Sequence, residues 1–371
     1  MRLGGGSRYQ IFPSLVPSDT VVCATPRALE TSFVMATKNQ RILYASYEGF
    51  SALTLLNSFP VRLAAPIHDV LVINDLSEHS GLLLVNKRGG FTLMKGVWDR
   101  GSTPTEAAVF TACFPPPRGG WIDLRTVYHG PTRTLFYGGP IGASGATEIH
   151  GFHVAEEQIA QRLEVPGNPS LTCLSAHLSQ RALLAGFADG VVRYYDDRQR
   201  QGGVSAVAAL PAAEDAIGGG EAVLGVGPIA MTPSSTFSIA AMTRHTLCLF
   251  DTRKLNQPAL RMDVRALLNA GEDGGAGGGG GGALPFITCG AVGLYTGLIG
   301  LGFSDDSYAA FNPKGRILTE GRIYTTTTTA TTSSSAEAAT NAPLSRFPRS
   351  FISHPLRPLL SFGGDLMFFH L

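Results

Sequence analysis

Histidine, cysteine and paired acid–base residues are where chemistry in a chain usually starts. This chain of 371 residues holds nine histidines and five cysteines. The histidines are dispersed, and no HExxH or GxSxG stretch occurs, so neither a zinc hydrolase nor a serine-hydrolase nucleophile is written in the usual way. His150 and His153 are neighbours on one apolar run. Their odd offset places them on opposite faces of a strand, which argues against a shared metal. Cys23, Cys113, Cys173, Cys248 and Cys289 form no CxxC and are odd in number. A disulfide framework or a structural zinc site is therefore not expected. Cys173, Cys248 and Cys289 sit inside apolar runs, where cysteine acts as a small hydrophobe, in keeping with a reducing compartment. The glycine tract at 271–283, GEDGGAGGGGGGA, is no phosphate cradle, because no Gly-Lys-Ser/Thr follows and a strand comes next. No cofactor, metal or catalytic residue is expected.

Bulk composition narrows the partners. Net charge is +1 and only 15% of residues are charged, so nothing global favours nucleic acid or an anionic membrane. The start, MRLGGGSRYQIFP, lacks the apolar core of a signal peptide. Ile287–Phe303, ITCGAVGLYTGLIGLGF, is the one stretch to test as a membrane span. Five glycines break it, and glycine at that density weakens a helix. Strand, Gly-Leu-Tyr-Thr-Gly turn, strand is the better reading. With 45 glycines, 44% hydrophobic residues and few charges, the chain points to β structure joined by tight turns.

The elements behind these residues repeat. Leu171–Arg198, LTCLSAHLSQRALLAGFADGVVRYYDDR, writes three short apolar runs separated by a Ser-Gln-Arg turn and an Ala-Asp-Gly turn. The plan recurs from Pro228, from Phe286 and in the tail RSFISHPLRPLLSFGGDLMFFHL. It recurs upstream in IHDVLVINDLSEHSGLLLVNKRGGFTLMKGVWDR and WIDLRTVYHGPTRTLFYGGPIGASGATEIHGFHV, and more weakly in VVCATPRALETSFVMATKNQRILYAS. Aligning the seven copies on an aromatic of the third run selects Tyr44, Trp98, Phe152, Tyr195, Phe250, Phe311 and Phe369. The spacing, about 40 to 60 residues, is that of propeller blades.

The expected fold is therefore all-β: a single seven-bladed, WD-repeat-like β-propeller over 1–371, with approximate blades 13–59, 60–115, 116–165, 166–215, 216–270, 284–324 and 343–371 plus 8–12. The inserts 271–283 and 325–342, one Gly-rich and one Thr/Ser-rich, are too simple in composition to add to a core and are expected as flexible loops. Inner strands of stacked blades are covered on both faces, which explains continuous runs such as Ala182-Leu183-Leu184-Ala185. The seventh copy stops after its third strand. Tyr9-Gln10-Ile11-Phe12 is the candidate to supply the fourth and close the ring, the alternative being a clipped chain whose partner strand lies elsewhere.

Trp98-Asp99 is the only Trp-Asp dipeptide, with Tyr195-Asp196 and Phe250-Asp251 in equivalent places. The aromatic is expected to fill space between blades and the Asp to end the strand. Arg193, Arg198, Arg200, Arg253 and Lys254 lie at or beyond third strands. They form either a basic interaction rim or ordinary solvated loop charge. No Gly-His precedes a first strand, so the usual WD-repeat His/Asp/Trp network is expected to be largely absent.

LTCLSAHLSQRALLAGFADGVVRYYDDRQ, GLIGLGFSDDSYAAFNPKGRILTEGRIY and SFISHPLRPLLSFGGDLMFFHL, in that order, resemble blades of the C-terminal propeller of the Raptor family, the regulatory-associated proteins of the TOR kinase. The resemblance runs from about Ile67 onward and rests on whole-blade order, not on an invariant motif. It implies a non-catalytic scaffold in TOR complex 1, linking nutrients to growth. It implies protein partners, namely a TOR kinase and its complex subunits or substrates. It implies a cytoplasmic location, with recruitment to lysosomal or vacuolar-type membranes through partners. The family's caspase-like domain and helical repeats are not in this chain, so kinase docking and substrate binding by those parts do not carry over. The alternatives are a propeller subunit of a trafficking, ubiquitin-ligase or chromatin assembly, and, less favoured, a propeller enzyme.

Overall fold

A computed structural model of the chain describes residues 9–11, 21–26, 32–48, 52–63, 65–73, 81–95, 109–112, 120–142, 144–177, 182–196, 198, 203–210, 220–229, 238–264, 285–292, 297–304, 307–312, 316–322, 351–353, 359–362 and 367–370. The first strand, β1 (Tyr9–Ile11), is followed by six groups of four: β2 (Val21–Pro26), β3 (Ser32–Thr37), β4 (Arg41–Glu48) and β5 (Ala52–Pro60); β6 (Ile67–Ile73), β7 (Gly81–Asn86), β8 (Phe91–Lys95) and β9 (Val109–Ala112); β10 (Arg125–His129), β11 (Thr134–Pro140), β12 (Thr147–His153) and β13 (Gln158–Leu163); β14 (Leu171–His177), β15 (Ala182–Phe187), β16 (Val191–Asp196) and β17 (Ala206–Ala209); β18 (Gly225–Ile229), β19 (Ser238–Met242), β20 (Thr246–Asp251) and β21 (Leu260–Asp263); β22 (Ile287–Val292), β23 (Ile299–Phe303), β24 (Ser307–Phe311) and β25 (Ile317–Arg322). Each group is one antiparallel sheet in sequential order, and these are sheets one to six below. A further sheet, the seventh, holds β26 (Phe351–Ser353), β27 (Leu359–Phe362) and β28 (Met367–His370), with β1 added outside β28. Tyr9 stands opposite Phe369 and Ile11 opposite Met367.

Burial explains why these residues make strands. Every residue of β7, β15 and β23 is buried, and these second strands are almost wholly apolar runs. The outer strand β13 alternates between exposed and partly buried residues, because one of its faces meets water. Apolar residues gather in clusters between successive sheets. Val34, Ala36 and Ile42 pack on Val70, Leu82 and Met94. Phe136 and Ile149 pack on Leu183, Ala185 and Tyr195. Leu247 and Leu249 pack on Ile299, Leu301 and Phe311. Each such side chain contributes roughly 1.5–3 kcal/mol by burial, and no sheet could bury both faces alone. First strands lie beside one another in chain order, and β26 lies next to both β22 and β2. The architecture is all-β and propeller-like.

Ile287–Phe303 forms β22 and β23, and no helix among the described residues is long and apolar enough to cross a membrane. The Gly-rich insert 271–283, the Thr/Ser-rich insert 325–342, Trp98 and Arg200 lie outside the described residues.

A bulge recurs in four first strands, between Val21 and Cys23, Ile67 and Asp69, Leu171 and Cys173, and Ile287 and Cys289. The extra residue is Thr in two of them. Thr172 donates to the Gly186 carbonyl at 2.9 Å and Thr288 to that of Gly302 at 3.1 Å. After the bulge, Cys173 stands opposite Gly186 and Cys289 opposite Gly302.

Candidate interaction surface

Antiparallel order gives every sheet two ends. The loops into first strands share one end, here called upper, with the turns between second and third strands. The other two turns of each sheet lie at the lower end.

The third-strand aromatics do not all share one register. Phe152 pairs with Leu135, Tyr195 with Leu183, Phe250 with Ile239 and Phe311 with Ile299, and all four are buried against the preceding sheet. In the second sheet the corresponding pair is Leu82 with Met94, because β8 ends at Lys95, before Trp98. In the first sheet it is Phe33 with Ala45, and Tyr44 is on the opposite face, packed toward the second sheet. Phe369 stands opposite Leu360. Tyr195 adds a polar tie: its hydroxyl donates to the Glu164 carbonyl of the third sheet at 2.8 Å. Burial pushes its phenol up to about 12.

The basic residues divide between the two ends. Arg193 is only 8% exposed and sits near the upper end. Its guanidinium lies 4.3 Å above the Phe187 ring, pairs with Asp189 at 3.0 Å and donates to the Pro166 carbonyl at 3.1 Å. It fastens the third sheet to the fourth and is not part of an open rim. Arg198 and Arg253 are at the lower end, on adjacent sheets, each two residues after an Asp that closes the third strand. Arg198 takes Asp196 in a bidentate grip, Nε to Oδ1 at 2.8 Å and Nη2 to Oδ2 at 2.5 Å. Arg253 grips Asp251 in the same way at 2.9 and 2.7 Å. In both turns the Arg amide also donates to Oδ1. The Arg253 contacts hold the Asp251 carboxyl down at about 2, and Arg198 likewise lowers Asp196. Lys254 is exposed beside Arg253. The surface is thus a pair of fixed, charge-balanced guanidinium–carboxylate turns with one added lysine.

Asp69 of the second sheet accepts from the Thr126 hydroxyl of the third and from its own neighbour's amide, Val70, at 2.8 Å. Burial raises its carboxyl, partly offset by Thr126 and His68. Cys23 of the first sheet is raised by burial and by the Asp69 charge. This is a sheet-to-sheet junction of an acid, an alcohol and a thiol that burial keeps un-ionised. His129 and His177 also lie between the third and fourth sheets, His129 Nε2 being 3.2 Å from the His177 carbonyl. His150 bonds Glu148 at 2.8 Å, whereas His153 lies near Glu156 at 3.8 Å, so the two are not brought together. Among the described residues no group of three His, Cys, Asp or Glu side chains could hold a metal ion.

One polar network has no signal in local sequence. Glu221, on the loop entering β18, accepts from His245 Nδ1 at 2.5 Å and from the Thr243 hydroxyl at 2.7 Å, both on the β19–β20 turn. In WD-repeat proteins a histidine precedes the first strand; here an acid does, and the imidazole is on the turn.

The fold is of the all-β, propeller-like class. Comparison with solved structures agrees. The chain is similar to the crystal structure of Chaetomium thermophilum Raptor at 14% identity and a TM-score of 0.65, over 94% of this chain and 28% of Raptor. It is similar to the structure of U3-55K at 12% identity and a TM-score of 0.65, over 99% of this chain and 100% of that one. At such identities the likeness is one of fold. No family model matches the chain, and no curated protein matches its sequence.

Proposed function

We propose that the chain is a closed seven-bladed propeller, tied by β1, that works as a non-catalytic protein-interaction scaffold, a Raptor-like adaptor of TOR complex 1 in nutrient and growth signalling. The observation that carries the reading is the Raptor likeness over 94% of the chain, found where the order of the blade sequences already resembles that family. The side-by-side first strands and the β1–β28 pair support the closed ring. The raised carboxyl of Asp69 and the raised thiols of Cys23, Cys173 and Cys248 support recognition without covalent chemistry. The partner surface is the lower rim of the fourth and fifth sheets, with Arg198, Arg253 and Lys254. A guanidinium already oriented by its own carboxylate loses little freedom on binding, and Arg is enriched where interfaces carry energy. The partners are a TOR kinase, its complex subunits or its substrates. The setting is cytoplasmic, with delivery to lysosomal or vacuolar-type membranes through those partners.

Affinity purification of the tagged chain tests this reading. Recovery of a TOR-type kinase or its complex subunits, reduced at least tenfold by Arg198→Ala plus Arg253→Ala, is the expected result. The full coverage of U3-55K favours a second reading, a WD-repeat subunit of a different assembly, and recovery of that assembly alone would replace the first.

A further inference from the structure

The upper end of the first and second sheets is basic, and the backbone holds its cations in place. The β3–β4 turn carries Lys38, the loop leaving β5 carries Arg62, and the β7–β8 turn carries Lys87 and Arg88, all four exposed. Gln40 ties the first two elements together. Its carbonyl accepts from the Val61 amide at 2.8 Å and its Oε1 from the Leu63 amide at 3.0 Å, so Arg62 sits between two fixed neighbours. Asn86 shapes the other turn, its Oδ1 accepting from the Arg88 amide at 2.9 Å and the Gly90 amide at 3.1 Å. The Lys87 amide donates to the Pro66 carbonyl at 3.0 Å, which fastens this turn to the chain arriving from the first sheet. Arg41, half-buried at the start of β4, adds its charge and donates to a neutral acceptor, with Nε and Nη2 at 3.1 and 2.7 Å from Ser58 Oγ. Among the described residues none of these cations is in an ion pair, whereas Arg125, Arg193, Arg198 and Arg253 each hold an Asp. An apolar shoulder adjoins the patch. A Cβ on Gly89 would come within 2.9 Å of Trp121 Nε1, so the indole lies against the β7–β8 turn, and the next residue, Ile122, is 69% exposed.

We infer that this upper face of the first and second sheets docks an extended acidic segment of a partner protein, which sets an apolar side chain on Ile122. The chain as a whole carries a net charge of +1, so the concentration of unpaired cations on one seam is local and complements a local run of carboxylates. Their turns are fixed by backbone bonds before any partner arrives, which lowers the ordering cost of binding. A broad anionic ligand fits less well. Further round the same end stand the exposed carboxylates of Asp123 and Asp189, which a bilayer or a duplex lying over that end would meet, while one extended peptide stays on the seam. Single-stranded nucleic acid binds largely by stacking on aromatic platforms. The exposed side chains here are cations and an isoleucine, which suit acidic and aliphatic residues. The site is at the opposite end from Arg198 and Arg253 and does not rest on the adaptor reading above.

Fluorescence anisotropy on the whole chain tests the site, with a short fluorescein-labelled peptide of Glu and Ala around one central Leu as the probe. The wild type is expected to bind it, and Lys38→Ala, Arg62→Ala, Lys87→Ala and Arg88→Ala combined to weaken binding about tenfold. Ile122→Ser is expected to weaken it about threefold. Arg198→Ala plus Arg253→Ala, at the other end, should leave it unchanged. Labelled oligo-dT and vesicles of phosphatidylserine in phosphatidylcholine serve as rival probes under the same conditions. No binding of the peptide, tighter binding of either rival, undiminished affinity in the fourfold variant or in Ile122→Ser, or an equal loss in the Arg198/Arg253 variant overturns the inference. All the substituted side chains are exposed, and circular dichroism of each variant confirms that the fold is kept.

Discussion

Gly186 shows how a single residue type follows from a neighbour. A Cβ there would lie 2.5 Å from Cys173 Sγ and 2.7 Å from Val223 Cγ1, in a region with no room to yield. Gly186→Ala is expected to cost about 1–3 kcal/mol in urea unfolding, with part of the loss recovered by adding Cys173→Ala. The thiols themselves are poor nucleophiles. Burial pushes Cys173 and Cys248 up to about 11, so the thiolate fraction at pH 8 is on the order of 10⁻³. Site-resolved mass spectrometry should find both alkylated by iodoacetamide at least tenfold more slowly in the native protein than in urea. Sequence reading could place these cysteines in strands, because apolar runs mark strands directly. It could not place Arg193. A guanidinium in a strand reads as solvated charge, and only the fold brings Asp189, the Phe187 ring and the Pro166 carbonyl around it.

Among the elements, second strands such as β7, β15 and β23 were the most legible, since cover on both faces leaves few polar positions in the run. Third strands were harder to align. Trp98-Asp99 drew the second repeat toward a dipeptide that follows β8, while Met94 pairs with Leu82 as Tyr195 pairs with Leu183. In the first repeat the corresponding residue is Ala45, and the conspicuous aromatic beside it, Tyr44, faces the other way. A small side chain in an aromatic slot leaves no mark in a sequence. The Glu221–His245 pair was illegible for a different reason: its members are 24 residues apart and meet only when the loop crosses the turn. Tyr195 carries an element-level prediction. Tyr195→Phe removes the hydroxyl bond to the Glu164 carbonyl without changing the packing of the ring, and should destabilise the protein by about 1 kcal/mol.

At the scale of the whole molecule, acid should loosen the assembly before it titrates the surface. Burial lowers His150, with Glu148 offsetting part of the effect, and burial lowers His177, with the His129 charge adding to it. Folded protein therefore holds these protons less tightly than unfolded chain. The stability they contribute is fully present above the unfolded histidine value, about 6.5, and is lost as pH falls through the depressed folded values. The urea midpoint should drop between pH 7.5 and 5.5, and His150→Gln with His177→Gln should flatten that drop. The Asp196 and Asp251 grips are also lost as pH falls, but their carboxyls are held below the ordinary carboxylate range, so they should give way only in strong acid.

The seventh sheet takes β1 from one end of the chain and β26 to β28 from the other. A protease cut in the Gly-rich stretch at 271–283 would divide the polypeptide yet leave each piece holding the other, by β22 against β18 on one flank and β1 against β28 on the other. Two separately expressed halves, 1–270 and 284–371, should find each other in solution and elute as one particle, so the molecule offers a natural seam for a split reporter.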